Sequence, residues 1–570
     1  MTSTMNPPRA SFKSFSLWLA ALFLVVLGAK LRVVQLYGSP LPLWDQWYEA
    51  DDFFRPWVEG HFTWHALFEP DNGHRIVFTR LLDLIVIQLN GRWEPLLQMT
   101  VNAFIHTAFV CGLAFCLWDF LGRKNGWFVC LLLAPFFALP YAGENAIWAI
   151  TLEYMLDIFS LATVVALGFA RPGSRWWWLG LAVAVMGLFT MASGLLAPVA
   201  VGGLAVLRAA KNRRLEKGNL ITLVSCLAVF GLGLALRVST DVGRPLQAHS
   251  LMEFASALMR NLTWLFFDAP GLACFIFLPF VLLLVLYFRQ NFQESRAAEL
   301  LLGLGLWSLL QSAALAFGRA NYGDVFPISR YLDILNVFVI ASLFASWLLA
   351  QFWLHGAFST KFALLPPLIF SAVICAGLCR ISHIVVDELL LPTRMMNLVA
   401  EERVQTFMAT GNEHDLLEPP TVRPSPEKAL RVLRNAKLQT ILPAVCLPAA
   451  DAHVTGRFTA VSQWLLRNSI WLLYGGLGLF VGLIGYDLIR SPLGLAWENL
   501  PASIAFLALL AALGFVWTTA PVKRETIERD LDYKLAVYFK SVDNAGRAAM
   551  FERKAEALQQ GGNSDGSGRP

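Results

Sequence analysis

Two adjoining stretches decide the fold. Residues 15–36 read FSLWLAALFLVVLGAKLRVVQL, and residues 44–52 read Trp44-Asp45-Gln46-Trp47-Tyr48-Glu49-Ala50-Asp51-Asp52. The first is apolar for long enough to cross a bilayer core of about 30 Å at about 1.5 Å per residue. The second sets four carboxylates (Asp45, Glu49, Asp51, Asp52) directly beyond it. No clear small-x-small cleavage site follows the apolar run, so it is expected to remain as a signal anchor. Arg9 and Lys13 precede it, which puts the N-terminus in the cytoplasm and residues 37–75 outside.

That outer loop holds seven acids (Asp45, Glu49, Asp51, Asp52, Glu59, Glu69, Asp71) against Arg55 and Arg75. Asp45, Glu49 and Asp52 stand at i, i+4 and i+7, and share one face if the stretch is helical. Pro56 is expected to end that helix near residue 55. Trp44, Trp47, Tyr48, Phe53, Phe54 and Trp57 supply the aromatic bulk that suits a lipid headgroup zone. Residues 76–90 are apolar but interrupted by Thr79, Arg80 and Asp83, which reads as a second interfacial helix lying on the membrane.

The whole chain follows the same pattern. It is 56% hydrophobic and 15% charged, where a soluble domain carries roughly 25% charged residues. This excludes a string of soluble domains and points to one polytopic membrane domain with small polar additions. The net charge of +5 is concentrated in short loops, where it sets orientation and does not indicate nucleic acid. Seven of the 8 cysteines fall in or beside apolar runs, so neither a disulfide framework nor a zinc ribbon is expected.

Further spans are expected at 95–118, 127–141, 146–170, 176–191, 194–208, 219–237, 271–288, 298–317, 332–353, 362–380, 466–489 and 501–519. The fold class is all-α, a polytopic transmembrane bundle of about 12–13 spans. The organisation is a membrane domain at 1–380, a polar extracytoplasmic helical segment at 381–463, a transmembrane hairpin at 464–520 and a charged tail at 521–570. Thirteen spans put the C-terminus outside, whereas Lys523, Arg524 and Arg529 favour inside.

The acids after the first span fit catalysis at the membrane surface. A sugar hydroxyl is a poor nucleophile, and a carboxylate within reach removes its proton as the new bond forms. Asp45 leads that assignment, with Glu49 and Asp52 as further catalytic acids and Asp51 as a substrate contact. The bland alternative has Asp45 capping a helix whose other acids are solvated. His61 and His65 have the i, i+4 spacing of a two-histidine metal site, with no third ligand in view. His74 and Arg75 read as a polar pair anchoring the second interfacial helix or contacting a phosphate. Arg319, Arg330 and Tyr331 belong to a later outer loop. An arginine at the mouth of a membrane helix is costly to desolvate unless it meets an anion, and its fork matches phosphate. Their alternative role is structural pairing with Asp324 or Asp333. Glu144 in a short outer loop is a further substrate candidate, and Glu153 and Asp157 read as internal hydrogen-bond partners within a span.

This arrangement resembles the GT-C class of membrane glycosyltransferases, which use polyprenyl-phosphate sugars and include the protein mannosyltransferases and the aminoarabinose transferases of lipid A. The shared features are the acidic motif after the first span, interfacial helices in that loop, roughly a dozen spans and a polar region near the C-terminus. More narrowly the chain looks like a group of bacterial proteins of this kind. The motifs that carry the likeness are Trp44-Asp45-Gln46-Trp47, His74-Arg75 and Ser329-Arg330-Tyr331, within an architecture spanning about residues 15–380. Better-known members carry Asp-Glu where this chain has Asp45-Gln46. The resemblance implies a base at Asp45 and a phosphate-binding arginine in the later outer loop.

The expectation is therefore an inverting glycosyltransferase in the bacterial inner membrane. It would move a sugar from a polyprenyl-phosphate donor to an envelope glycan or lipid acceptor on the periplasmic face. No cofactor is expected; the acids are compatible with a divalent metal, but nothing in their spacing calls for one. A polysaccharide polymerase or ligase would use the outer arginines without needing Asp45. A lipid or solute transporter would rely on charges within the bundle, for which Glu153 and Asp157 are the candidates.

Overall fold

Gly28 interrupts the first apolar run with the smallest residue, and the packing of the bundle starts there. This computed structural model describes residues 12–490 apart from 124–125, 151, 239–240, 242, 290–294, 322–327, 355–364, 418–425 and 449–454, with a few positions between 529 and 556. The first run forms the helix Phe12–Tyr37. A Cβ at Gly28 would lie 2.3 Å from the backbone nitrogen of Leu473, and one at Gly476 would lie 2.7 Å from that of Val25. The helix Ser469–Arg490 thus lies along the first helix with the two backbones in near contact, as small residues allow between membrane helices. Pro95–Phe120 and Gly126–Ala138 pack on its other sides.

Leu332–Leu354 is the most enclosed helix, and every residue from Tyr331 to Ala350 is buried. A helix that is apolar all round belongs in such a place. Lys217–Ala235 and Pro270–Tyr287 lie at the periphery and expose Val224, Leu227, Leu278, Val281 and Val285. Contiguous apolar surface of this kind needs lipid around it. Among the described residues ten helices are long and apolar enough to cross a membrane, and there is no strand beyond an isolated bridge between Asp71 and His74. The protein is all-helical and multi-pass.

Two expected spans need correction. The run at 146–170 is broken into Gly143–Ile147, a non-helical link from Trp148, and Glu153–Ala162, which continues as a wide turn at Thr163–Leu167. Glu153 folds its carboxylate back onto the Leu152 N–H at 3.1 Å, which starts the second helix there. Glu144 therefore sits in a buried helical turn and not in an open loop. The run at 176–191 gives Arg175–Gly187, only 13 residues, or about 20 Å of rise. It stops early because the chain folds back on itself: Thr190 bonds the Gly187 carbonyl at 2.8 Å, and Gly194 lies against that carbonyl where no Cβ fits. The span expected at 501–519 lies outside the described residues, as does most of the stretch at 522–558.

The chain passes residue 380 without a break. Leu365–Val385 continues through a wide turn at Val386–Leu390 into Leu391–Thr410. Beyond it, the polar segment shares a core with the first outer loop. Trp47, Phe53, Phe54 and Trp93 pack with Val404, Phe407, Val432 and Leu442, and the Phe54 and Trp93 rings meet edge-on at 5.1 Å.

In the first outer loop the helix does not end at Pro56. Gln46–Glu49 leads into a wide turn at Ala50–Phe54 and then Arg55–Glu59, which stops at Gly60 with φ +83°. Proline, which has no N–H to give, is tolerated at the start of a new helical turn, and the wide turn provides that start. Residues Val77–Asn90 form a helix, with Arg80 and Asp83 buried and Ile85 and Leu89 exposed.

Candidate functional site

Asp45 stands at the N-cap of Gln46–Glu49, yet its side chain makes no capping hydrogen bond. The usual task of an aspartate at that position is left undone. The preceding Trp44 is held at φ +49°, a conformation that costs a bulky residue about 1–3 kcal/mol. Its ring meets Trp148 edge-on at 6.1 Å. The Asp45 carboxyl lies in the fields of Arg330 and Arg319. Burial raises its pKa above the usual carboxylate range, against the pull of those two guanidinium groups.

Arg330 is held from several directions. Its N–H donates to Glu144 Oε2 at 3.3 Å, and Asn145 Nδ2 donates to its carbonyl at 2.7 Å. The guanidinium lies over Trp148 at 5.1 Å and Tyr331 at 5.3 Å, with Nε 4.0 Å from Glu144 Oε1. Ser329 donates to the Tyr141 carbonyl at 3.1 Å. The Ser329-Arg330-Tyr331 turn is therefore bolted to residues 141–148, whose Trp148 touches Trp44. One frame carries both Asp45 and Arg330.

Arg319 ends the helix Ser295–Gly318 and is half-buried. Among the described residues its side chain makes only two long hydrogen bonds, to the Tyr331 hydroxyl and the Gly318 carbonyl, each at 3.4 Å. Most of its five N–H donors are unspent. It lines a cavity of ≈ 230 Å³ together with His74, Tyr331, Leu195, Leu234 and Leu315. The Ala192 N–H donates to His74 Nδ1 at 3.1 Å, which leaves the neutral ring's proton on Nε2. Burial and the charges of Arg319 and Arg330 pull the His74 pKa down to about 4, so the ring stays neutral near pH 7. A second cavity of ≈ 370 Å³ is polar, lined by Tyr48, Glu49, Asp52, Glu69, Asp71 and Arg80. Asn72 borders both cavities, so the turn at 71–74 is the wall between them. Burial and the nearby Glu49 and Asp45 push the Asp71 pKa up to about 7.

The structure brings Asp45, His74, Glu144, Arg319, Arg330 and Tyr331 to one place at the outer mouth. The other acids of the stretch lie beside it, each held by a cation. Glu49 is buried against Arg80 in a two-point ion pair at 2.8 and 3.0 Å. Asp51 binds Arg431 at 2.8 Å, and Asp52 binds Lys428. Glu49 and Asp52 both line the polar cavity, and Asp45, Glu49 and Asp52 all lie close enough for their charges to act on Asp71; what separates them is that Glu49 and Asp52 are each held by a cation. Arg75 bonds two backbone carbonyls, those of Phe68 and Leu236. His61 and His65 do not share an α-helix, since His61 lies beyond the end of Arg55–Glu59 and His65 sits in the 3-10 turn Trp64–Phe68. Among the described residues no group of three His, Cys, Asp or Glu side chains is disposed to hold a metal.

Sequence reasoning overlooked a set of charges just beneath this mouth. Lys30 lies 3.9 Å from Asp333, and His106 lies 4.0 Å from the same carboxylate. Asn145 links Asp333 to the Arg330 turn, bonding Asp333 Oδ2 at 3.1 Å. The available signal was a lysine in the first apolar run and a histidine in the second, both costly in a membrane without partners.

Fold and site together define a multi-pass, all-helical membrane protein with a cluster of charged side chains where the first long helix ends. No family model, no curated protein and no solved structure matches the chain.

Proposed function

We propose that the protein is a membrane glycosyltransferase of GT-C type. It transfers a sugar from a polyprenyl-phosphate donor to an envelope acceptor on the periplasmic face of the bacterial inner membrane, with inversion. The observation that carries this reading is the pairing of an uncapped carboxylate, Asp45, with two arginines beside an apolar cavity. In this reading Asp45 removes the proton of the acceptor hydroxyl as the glycosidic bond forms. Arg319 and Arg330 hold the departing phosphate, aided by the neutral Nε2–H of His74, and stabilise the charge that develops there. The lipid chain runs along the leucines of the apolar cavity, and the acceptor approaches from the polar cavity beyond the turn at 71–74. The amphipathic helix Val77–Asn90 lies in the interface, its exposed Ile85 and Leu89 in lipid.

Binding of polyprenyl monophosphate to the purified protein in nanodiscs tests this. Wild type binds, and Asp45→Asn binds at least as tightly because a negative charge near the phosphate is gone. Arg319→Gln weakens binding by roughly tenfold or more, the worth of one charge-assisted hydrogen bond. No binding by wild type, or binding indifferent to Arg319, contradicts the reading. A transporter is the competing reading, favoured by the buried Lys30, Asp157 and Asp333. It predicts that Asp45→Asn changes nothing.

A further inference from the structure

Five segments bring ionisable side chains together beneath the outer mouth. The first helix gives Lys30, about 10 Å from its outer end by helical rise. Pro95–Phe120 gives His106, Glu153–Ala162 gives Glu153, Tyr154 and Asp157, Leu332–Leu354 gives Asp333 and Asn336, and the turn Pro140–Ala142 gives Tyr141. All of them are buried. Glu144 and Arg330 border the group on its outer side, already paired with each other.

The group is not internally satisfied. Among the described residues both oxygens of Asp157, both ring nitrogens of His106, the Tyr154 hydroxyl and the Asn336 carbonyl oxygen have no hydrogen-bond partner. The His106 and Tyr154 rings stack at 4.1 Å, which puts two of these orphaned groups side by side. Buried polar atoms are very seldom left bare, and internal water is the usual partner where protein supplies none. The charges do not balance either. Asp157 and Asp333 face a single ammonium, Lys30, while Glu153 and Glu144 share Arg330, and an excess of buried negative charge in a bundle is costly.

The two aspartates differ in support. Asp333 takes a hydrogen bond from Asn145 and has Lys30 beside it, while the one proton of the Tyr141 hydroxyl goes to the Phe136 carbonyl. The Asn145 bond and Lys30 favour the ionised form of Asp333. Asp157 has no such bond among the described residues. We propose that Asp157 is a proton-binding site within the bundle, carrying an exchangeable proton drawn from solvent and solvated by internal water among Lys30, His106, Tyr154 and Asp333. The ligand is a proton and not a metal ion: Lys30 already occupies the cation position, and no metal-holding group of three ligands is present among the described residues. Through Asp333 and Asn145 the site is joined to the carbonyl of Arg330, so its charge state is felt at the outer mouth.

Infrared spectroscopy of the purified full chain in nanodiscs at about pH 8 tests this without any substrate, and so independently of glycosyl transfer. Wild type is expected to show a carboxylic-acid carbonyl band that shifts in D2O, at a pH where ordinary carboxyl groups are ionised. Asp157→Asn copies the neutral side chain, so it is expected to fold with an unchanged melting temperature and to lose one carboxyl's share of the band. Absence of the band in wild type, or an unchanged band in Asp157→Asn, overturns the proposal. So does an Asp157→Asn protein that folds only when Lys30→Met is added, since Asp157 would then be the ionised partner of Lys30. If neither variant folds, wild type with 13C-labelled aspartate decides. An exchangeable acid band without an isotope shift overturns the proposal.

Discussion

Asp71 carries the clearest single-residue consequence. An unfolded chain ionises this carboxyl near pH 4, whereas the folded protein keeps its proton up to about pH 7. The folded state therefore holds an extra proton between those values. The stability this group contributes is complete below about pH 4 and is lost as pH rises through about 7. The melting temperature in detergent is expected to fall between about pH 4 and pH 7, and to fall less in Asp71→Asn; an identical slope in both would contradict the assignment. Asp45 is raised in the same direction. As the proposed base it would work only when ionised, so the proposed transfer activity is expected to drop on the acid side at a pH above the ordinary carboxylate range. His74, neutral down to about pH 4, adds no titration of its own near pH 6.5. At this scale the sequence singled out Asp45, His74, Glu144, Arg319, Arg330 and Tyr331, which the structure brings together, because polar residues beside long apolar runs stand out. It could not separate Asp45 from Glu49, Asp51 and Asp52. Their cations, Arg80, Arg431 and Lys428, lie elsewhere in the chain.

Among the elements, the contact between Phe12–Tyr37 and Ser469–Arg490 rests on Gly28 and Gly476. A methyl group at Gly28 meets backbone, which cannot swing aside as a side chain can. Gly28→Ala is expected to destabilise the protein by about 1–3 kcal/mol, read as a lower melting temperature in detergent. Gly112→Ala is the control, since its methyl would meet only Leu161 Cδ2 at 3.8 Å. Equal melting of the two variants would contradict the packing. Spans were legible where apolar residues run on unbroken for a full crossing. The run at 146–170 misled because its break depends on Glu153 turning back to the Leu152 N–H, a local bond that hydropathy does not register. A tight hairpin turning at 192–194 is legible in the sequence, but its first helix ends at Gly187, where Thr190 bonds the Gly187 carbonyl, a local bond that hydropathy does not register.

For the molecule as a whole, the helices deliver distant loops to one outer mouth. The turn at 329–331 is bonded to 141–145, the turn at 71–74 is bonded to Ala192, and the segment 426–434 grips the acids of the first loop. The second core, shared between residues 41–93 and 400–447, ties the polar segment to the same mouth. This assembly leaves Asp45 as the one acid of its stretch without a cation bonded to it among the described residues. The most direct test of its catalytic role is a gene deletion complemented by wild type or by Asp45→Asn, matched for membrane expression, with envelope glycolipids and polysaccharides analysed by mass spectrometry. The account predicts that a sugar-sized mass lost in the deletion returns with wild type and not with Asp45→Asn, a loss in rate of about 10²- to 10⁴-fold for a missing general base. Full restoration by Asp45→Asn would contradict it.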